Sequence, residues 1–341
     1  MKMRTDTPAE SLIEGLESLI PKKMEDANVP GLSIALIRDA DLLWSRGFGV
    51  KSTGSEELVE ADTVFSAQSL SKPVFAYAAL KMCERGVLDL DAPLTEYFPE
   101  PYLPDDPHIG LVTARHVLSH TTGLPNWRPR GKPLKVLFNP GERFSYSGEG
   151  FVYLGRVVEH LSRKPLAEYM KENLLEPFGM HNSSYVWIDE FEGAAEAHDK
   201  EGKPFGKKKA EEANPAASLC STAPDYAKFV CEVIQPRRVD EYRLSEETVG
   251  EMLRPQIGVY YSISWGLGWG IQLSKNGDTF WQWGQGSVNQ GGFQAFAVAS
   301  KEQRAGIVIM TNSANGLRIC EDIVTQSLGG EHPAFSDFLG I

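Results

Sequence analysis

Helix and strand patterns together occupy both ends of this chain, whereas the apolar segments between them run mostly at helical spacing, and that division restricts the fold more than any single motif. Residues 9–27 carry Ile13, Leu16, Leu19 and Ile20 at helical intervals and end before Pro30. Residues 31–37 and 42–49, joined through Arg38-Asp39-Ala40-Asp41, predict a hairpin. From Ser69 to about residue 235 the spacing predicts helices over 69–85, 113–119, 149–163, 165–175 and 224–234, separated by Pro- and Gly-rich loops over 99–107 and 124–140. Strand patterns return at 267–273, 279–283, 292–299 and 305–311, followed by a helix over 315–328. Such an order predicts an α/β (α+β) fold: an antiparallel sheet flanked by helices and built from both chain ends, residues 1–65 and 236–341. An all-helical insertion, residues 66–235, interrupts it, with a cleft at the junction.

Charge narrows the range of partners. With 34 basic against 46 acidic residues among 341, the formal charge is −12, which argues against a nucleic-acid backbone as partner and leaves no polybasic membrane anchor. A small-molecule partner is expected, and the oligomeric state is open. Residues 1–10 lack an apolar run after their basic residues, so a cytoplasmic, unanchored protein is expected. Cys83, Cys220, Cys231 and Cys320 are scattered, without C-x-x-C spacing, and read as reduced thiols rather than disulfides or zinc ligands.

The chemistry-bearing segment is Ser69-Leu70-Ser71-Lys72, set before the apolar run that starts at Pro73. Proline lacks a backbone donor and is tolerated only in a helix's first turn, so a helix should begin near Ser69. A Ser and a Lys three apart then share one face, where an amine can touch a hydroxyl and help make it a nucleophile. The helix N-terminus would favour a developing oxyanion. A plainer reading makes Ser69 a cap and Lys72 a solvated first-turn residue. Tyr146-Ser147-Gly148 lies far downstream, and a tyrosine in such a loop is commonly a packing residue with a satisfied hydroxyl.

In order along the chain, Ser69-x-x-Lys72, Leu118-Ser119-His120-Thr121-Thr122-Gly123, Pro140-Gly141-Glu142-Arg143-Phe144-Ser145-Tyr146-Ser147 and Ser221-Thr222-Ala223-Pro224-Asp225-Tyr226, ahead of Gly292-Phe293, resemble the serine β-lactamase-like family. That family comprises class C β-lactamases, low-molecular-mass penicillin-binding proteins and related esterases. The resemblance spans roughly residues 9 to 328. It implies a β-lactamase/transpeptidase-like fold, Ser69 as the acyl-accepting nucleophile, and Lys72 and Tyr146 as its proton carriers, without metal or cofactor. His120 has a structural role in that family's loop.

Two departures from the family pattern bear on substrate. Where β-lactamases and peptidases of the family place an Asn that bonds the substrate's amide side chain, this chain has Gly148. The third motif, Lys-Thr-Gly or His-x-Gly in those relatives, falls in Trp281-Gln282-Trp283-Gly284-Gln285-Gly286-Ser287, which has no Lys or His. Trp before Gly is similar to the Trp-x-Gly element of family VIII carboxylesterases, with Trp283 or Gln285 in the first position. A backbone N–H near Gly286 or Ser287 would complete the oxyanion hole with that of Ser69. Of Trp265, Trp269, Trp281 and Trp283, at least two should be core residues, and the rest could line an acyl pocket. The reading is therefore a serine hydrolase acting on short-chain esters. The alternatives are a β-lactamase or D-alanyl-D-alanine-type peptidase, and a catalytically silent binding protein of the same fold.

Overall fold

A computed structural model of the chain describes residues 7–207, 209–237, 240–274, 277–286 and 292–341. Helix α1 (Ala9–Ala27) buries Leu12, Leu16, Ile20 and Met24, a row spaced by four along one face. The buried row is thus set by Leu12 and Met24 rather than by Ile13 and Leu19. Strands β1 (Gly31–Arg38) and β2 (Asp41–Gly49) form the expected hairpin. Its tip residues Asp39 and Ala40 take positive φ of 56° and 58°, the pair of left-handed residues that a tight hairpin turn requires.

The helical stretch opens with the short β3 (Phe65–Ser66) and a 3₁₀ turn, Gln68–Leu70, that runs into α2 (Ser71–Glu84). Pro73 lies in the first turn of α2, where its missing donor costs nothing. There follow α3 (Ala114–Leu118), α4 (Gly148–Ser162) and α5 (Leu166–Met170), the last continuing as a π-helical turn over Lys171–Leu175. Beyond them lie β4 (Ala197–His198), β5 (Pro204–Gly206), β6 (Cys220–Ser221) and α6 (Ala223–Ile234), with β6 paired to β3.

The last third adds α7 (Glu246–Leu253), β7 (Ile257–Tyr260), β8 (Ile263–Trp265), β9 (Gly270–Gln272), β10 (Thr279–Gln285), β11 (Gln294–Ser300), β12 (Ala305–Thr311) and α8 (Leu317–Leu328). The strand expected over 267–273 shrinks to β9 because Gly268 turns at φ 93°, where an added Cβ would lie 2.5 Å from the Ala76 methyl on α2. Helix α7 and strands β7 and β8 have no counterpart in the sequence reading. They are short, and Gly250 and Gly258 interrupt their periodicity.

The sheet has eight antiparallel strands in the order β2-β1-β12-β11-β10-β9-β8-β7, so both chain ends build it. Strand β1 lies between β2 and β12, with Ile34 opposite both Arg46 and Ile309. Alternation sorts its two faces. Leu32, Ile34, Leu36, Phe296, Val298, Ile307 and Ile309 pack with α1 and α8. Ala35, Ile37, Ala295, Ala297, Ala299, Val308 and Met310 join the core of the helical region without a break. Alanines at every second position of β11 let that layer approach closely. Helix α6, expected among the inserted helices, packs on β1 and β12. Among the described residues no helix is long and apolar enough to cross a membrane.

Candidate active site

The 3₁₀ turn that carries Ser69 is held from several sides. Gln68 adopts a left-handed backbone (φ 52°), an uncommon conformation for a non-glycine residue. Its Nε2 donates to Ser66 Oγ at 2.8 Å, and the Ala67 N–H donates to the Leu219 carbonyl at 2.8 Å. Strand β10 closes the other side: a Cβ on Gly284 would lie 2.4 Å from the Ala67 carbonyl oxygen, so only glycine lets the strand come this near. Ser69 itself stays partly exposed.

Lys72 is fully buried, with Nζ 3.0 Å from Ser69 Oγ and 2.8 Å from the Ala216 carbonyl oxygen. Around the amine stand the rings of Tyr146 (4.8 Å to the centroid), Trp127 (5.8 Å) and Phe151 (5.8 Å). Among the described residues no carboxylate pairs with it. Burial therefore acts unopposed and pushes the Lys72 ammonium down to about 7, so that an appreciable fraction is free amine near neutral pH.

Tyr146 precedes α4, its ring 4.2 Å from His120 and 4.7 Å from Trp283. The hydroxyl bonds the Ser69 side chain and accepts from Gln282 Nε2 at 3.1 Å. Burial raises the phenol well above its ordinary range despite these two bonds, so Tyr146 keeps its proton. His120 accepts the Ser147 N–H at Nδ1 (3.0 Å), which leaves Nε2 as the protonated nitrogen, buried without a partner among the described residues. Burial first, and the nearby Lys72 second, hold the imidazole neutral. It supports the Tyr146 ring and does not reach Ser69 through any hydrogen bond.

Gln282, which sequence reasoning missed, is fully buried and joins the two halves of the site. Its Nε2 donates to the Ser69 carbonyl and to the Tyr146 hydroxyl, each at 3.1 Å. Geometry thus gives the first position of the third motif to Gln282 and not to Trp283 or Gln285. Requiring glycine in the third place would have excluded both candidates and narrowed the segment to Gln282-Trp283-Gly284 or Gly284-Gln285-Gly286. The expected Gly286 donor also needs correction. The Gly286 N–H donates to the Phe293 carbonyl at 3.0 Å, within the pairing of β10 and β11, and is not available to a substrate. Donors alternate sides along an antiparallel strand, so the N–H of Gln285 points to the opposite edge, where β9 pairs with β10 only over Thr279–Trp281. Ser287 lies outside the described residues. Trp265, Trp269 and Trp281 are fully buried core residues, while Trp283 is half-buried beside Tyr146.

A family model described as Beta-lactamase matches residues 16–323, taking in the serine turn, Tyr146 and β10. The chain belongs to the beta-lactamase family. Among curated relatives, the esterase EstB of Burkholderia gladioli is 29% identical over 226 residues, 58% of this chain and 57% of that protein. Protein flp of Staphylococcus aureus (strain COL) is 20% identical over 318 residues, 87% of this chain and 62% of its own length. The chain thus spans about three fifths of the length of these curated relatives. Among solved structures, an octameric penicillin-binding protein homologue from Pyrococcus abyssi superposes with a TM-score of 0.77 at 27% identity, over 89% of this chain and 74% of that one. A beta-lactamase/D-alanine carboxypeptidase from Pseudomonas syringae gives 0.80 at 19% identity, over 93% and 98%, and shares the beta-lactamase fold.

Proposed function

We propose that the protein is a serine hydrolase that cleaves carboxylic esters through an acyl-enzyme on Ser69. The supporting observation is the buried, carboxylate-free amine of Lys72, 3.0 Å from the Ser69 hydroxyl. As Ser69 Oγ attacks the ester carbonyl, its proton passes to Lys72 Nζ, and the N–H groups of Ser69 and Gln285 hold the carbonyl oxygen as it becomes anionic. When the tetrahedral intermediate collapses, the departing alkoxide takes the proton of Tyr146, which the Lys72 ammonium beside the ring replaces. Water then enters in the alcohol's place, and the same groups act in reverse to free the acid and restore Ser69. The protonated phenol and the depressed lysine fit this division, with Lys72 as base and Tyr146 as acid.

Two features support an ester over a β-lactam or D-alanyl peptide. Gly148 has no side chain to bond an amide, and a neutral Gln282 stands at the motif position where the family's peptidases and β-lactamases carry a cation. The esterase relative is in keeping with this choice. A fluorophosphonate should add once to the intact protein and not to Ser69→Ala. p-Nitrophenyl butyrate should be hydrolysed faster than nitrocefin. The reverse order would favour the β-lactamase reading, and no Ser69-dependent adduct would favour a catalytically silent protein.

A further inference from the structure

Gly148 does more than omit a side chain: the space that a side chain would need is occupied. A Cβ built there would lie 2.8 Å from the Asn126 carbonyl oxygen and 3.0 Å from both Cη2 and Cζ3 of Trp127. The Trp127 indole therefore covers the spot from which residue 148 would face a substrate. Its ring is 5.8 Å from Lys72 Nζ, and that amine touches the Ser69 hydroxyl. Trp127 is nevertheless 47% exposed, so part of its ring stays open to a ligand bound beside Ser69.

The backbone that carries the ring is also held in place, because both sequence neighbours of Trp127 are tied to the first turn of α4. Asn126 accepts the Gly148 N–H at its Oδ1 (3.0 Å) and the Glu149 N–H at its carbonyl (2.9 Å). Arg128 donates from Nε and Nη2 to Glu149 Oε1, at 3.1 and 2.8 Å, and the Tyr102 hydroxyl donates to the same oxygen at 2.5 Å. Glu149 is buried, although the Arg128 side chain is 54% exposed, so the carboxylate end of this anchor is the shielded one. A large flat side chain clamped on both flanks presents its face at little entropic cost.

We propose that Trp127 is the specificity-determining wall of the acyl subsite and selects esters whose acyl group is a flat aromatic ring, such as benzoates, over flexible short alkyl acids. The inference rests on the esterase reading above. An indole face gives an aromatic acyl group stacking and dispersion contact, and offers little to a butyryl chain that must be ordered first.

The test compares kcat/KM for p-nitrophenyl benzoate and p-nitrophenyl butyrate in the wild type, Trp127→Ala, Trp127→Phe and Ser69→Ala. The wild type should prefer benzoate, and Trp127→Ala should lower the benzoate-to-butyrate ratio by about tenfold, one good aromatic contact. Trp127→Phe should hold the ratio within about threefold, since its ring keeps a stacking face. An unchanged ratio in Trp127→Ala, with activity that Ser69→Ala abolishes, would overturn the role of Trp127 and leave the esterase reading standing. Ester cleavage absent from the wild type, or undiminished in Ser69→Ala, would overturn both.

Discussion

Each end of α2 buries a lysine, and the two ends treat the charge in opposite ways. Lys81, 8% exposed in the last turn, donates to Glu84 Oε2 at 2.8 Å and to the Arg243 carbonyl at 2.7 Å. Burial alone would raise the Glu84 carboxyl, but bonds from Lys81, Ser245 and Thr248 outweigh it and hold the group down to about 2. Lys72, in the first turn, has a hydroxyl, a carbonyl and aromatic rings around it and, among the described residues, no such carboxylate. One lysine is a structural rivet whose charge is matched. The other is left unmatched, and an amine without a counterion at neutral pH can take a proton from its neighbour. What separates a structural from a chemical buried lysine is thus the absence of an acid, not the depth of burial.

The largest effect should come from removing the unmatched amine. Lys72→Ala should lower kcat/KM for a p-nitrophenyl ester by about 10²–10⁴-fold, the usual weight of a general base, with the fold retained by circular dichroism. Lys81→Ala should do the reverse. Leaving Glu84 without its partner should cost about 2–3 kcal/mol in urea unfolding, the pair's slight exposure lowering the penalty for a broken buried pair, with kcat/KM changed little. An inactive but fully stable Lys81→Ala would erase the distinction.

Giving Lys72 the carboxylate it lacks sharpens the contrast further. In the wild type, kcat/KM should rise with pH through a midpoint of about 7 as Lys72 loses its proton. Gln282→Glu sets a carboxyl against the Tyr146 hydroxyl and the Ser69 carbonyl; on ionising it favours the Lys72 ammonium, so the midpoint should move up, by at most about one pH unit because burial and the carbonyl oppose that ionisation. A smaller, thermodynamic signature follows from linkage. The folded-state pKa of Lys72 lies below its unfolded value of about 10.4, so the native protein holds fewer protons between these values and gains stability as pH rises through that window. Lys72→Met should therefore raise Tm at pH 6 by a few degrees, and by less at pH 9, measured by calorimetry.

Much of this arrangement is legible in the sequence, because local spacing carries it. Pro73 marks the start of α2, and the interval from Ser69 to Lys72 puts hydroxyl and amine on one face. Strand patterns at both ends suffice to predict a sheet shared between them. What escapes is set by tertiary register. The role of Gln282 depends on which residues of β10 meet the serine turn, and the sequence candidates Trp283 and Gln285 lie one and three residues beyond it. The spent donor of Gly286 depends on which β10 residues bond β11. Trp127 sits in a Pro- and Gly-rich loop without periodicity, and only its approach to Gly148 brings it to the amine. The family's motif order locates the serine, lysine and tyrosine, whereas residues that would choose a substrate lie in segments where spacing carries no signal.

Strand β1 has neighbours from opposite ends of the chain, β2 beside it in sequence and β12 near the other terminus. On the ribosome, the newly made hairpin must wait with one row of backbone donors and acceptors uncovered until residues 305–311 emerge. Completion of the central sheet is thereby postponed until β12 has been made. Refolding from denaturant should in turn be slow and recover best at high dilution, where a bare strand meets its own chain before another's.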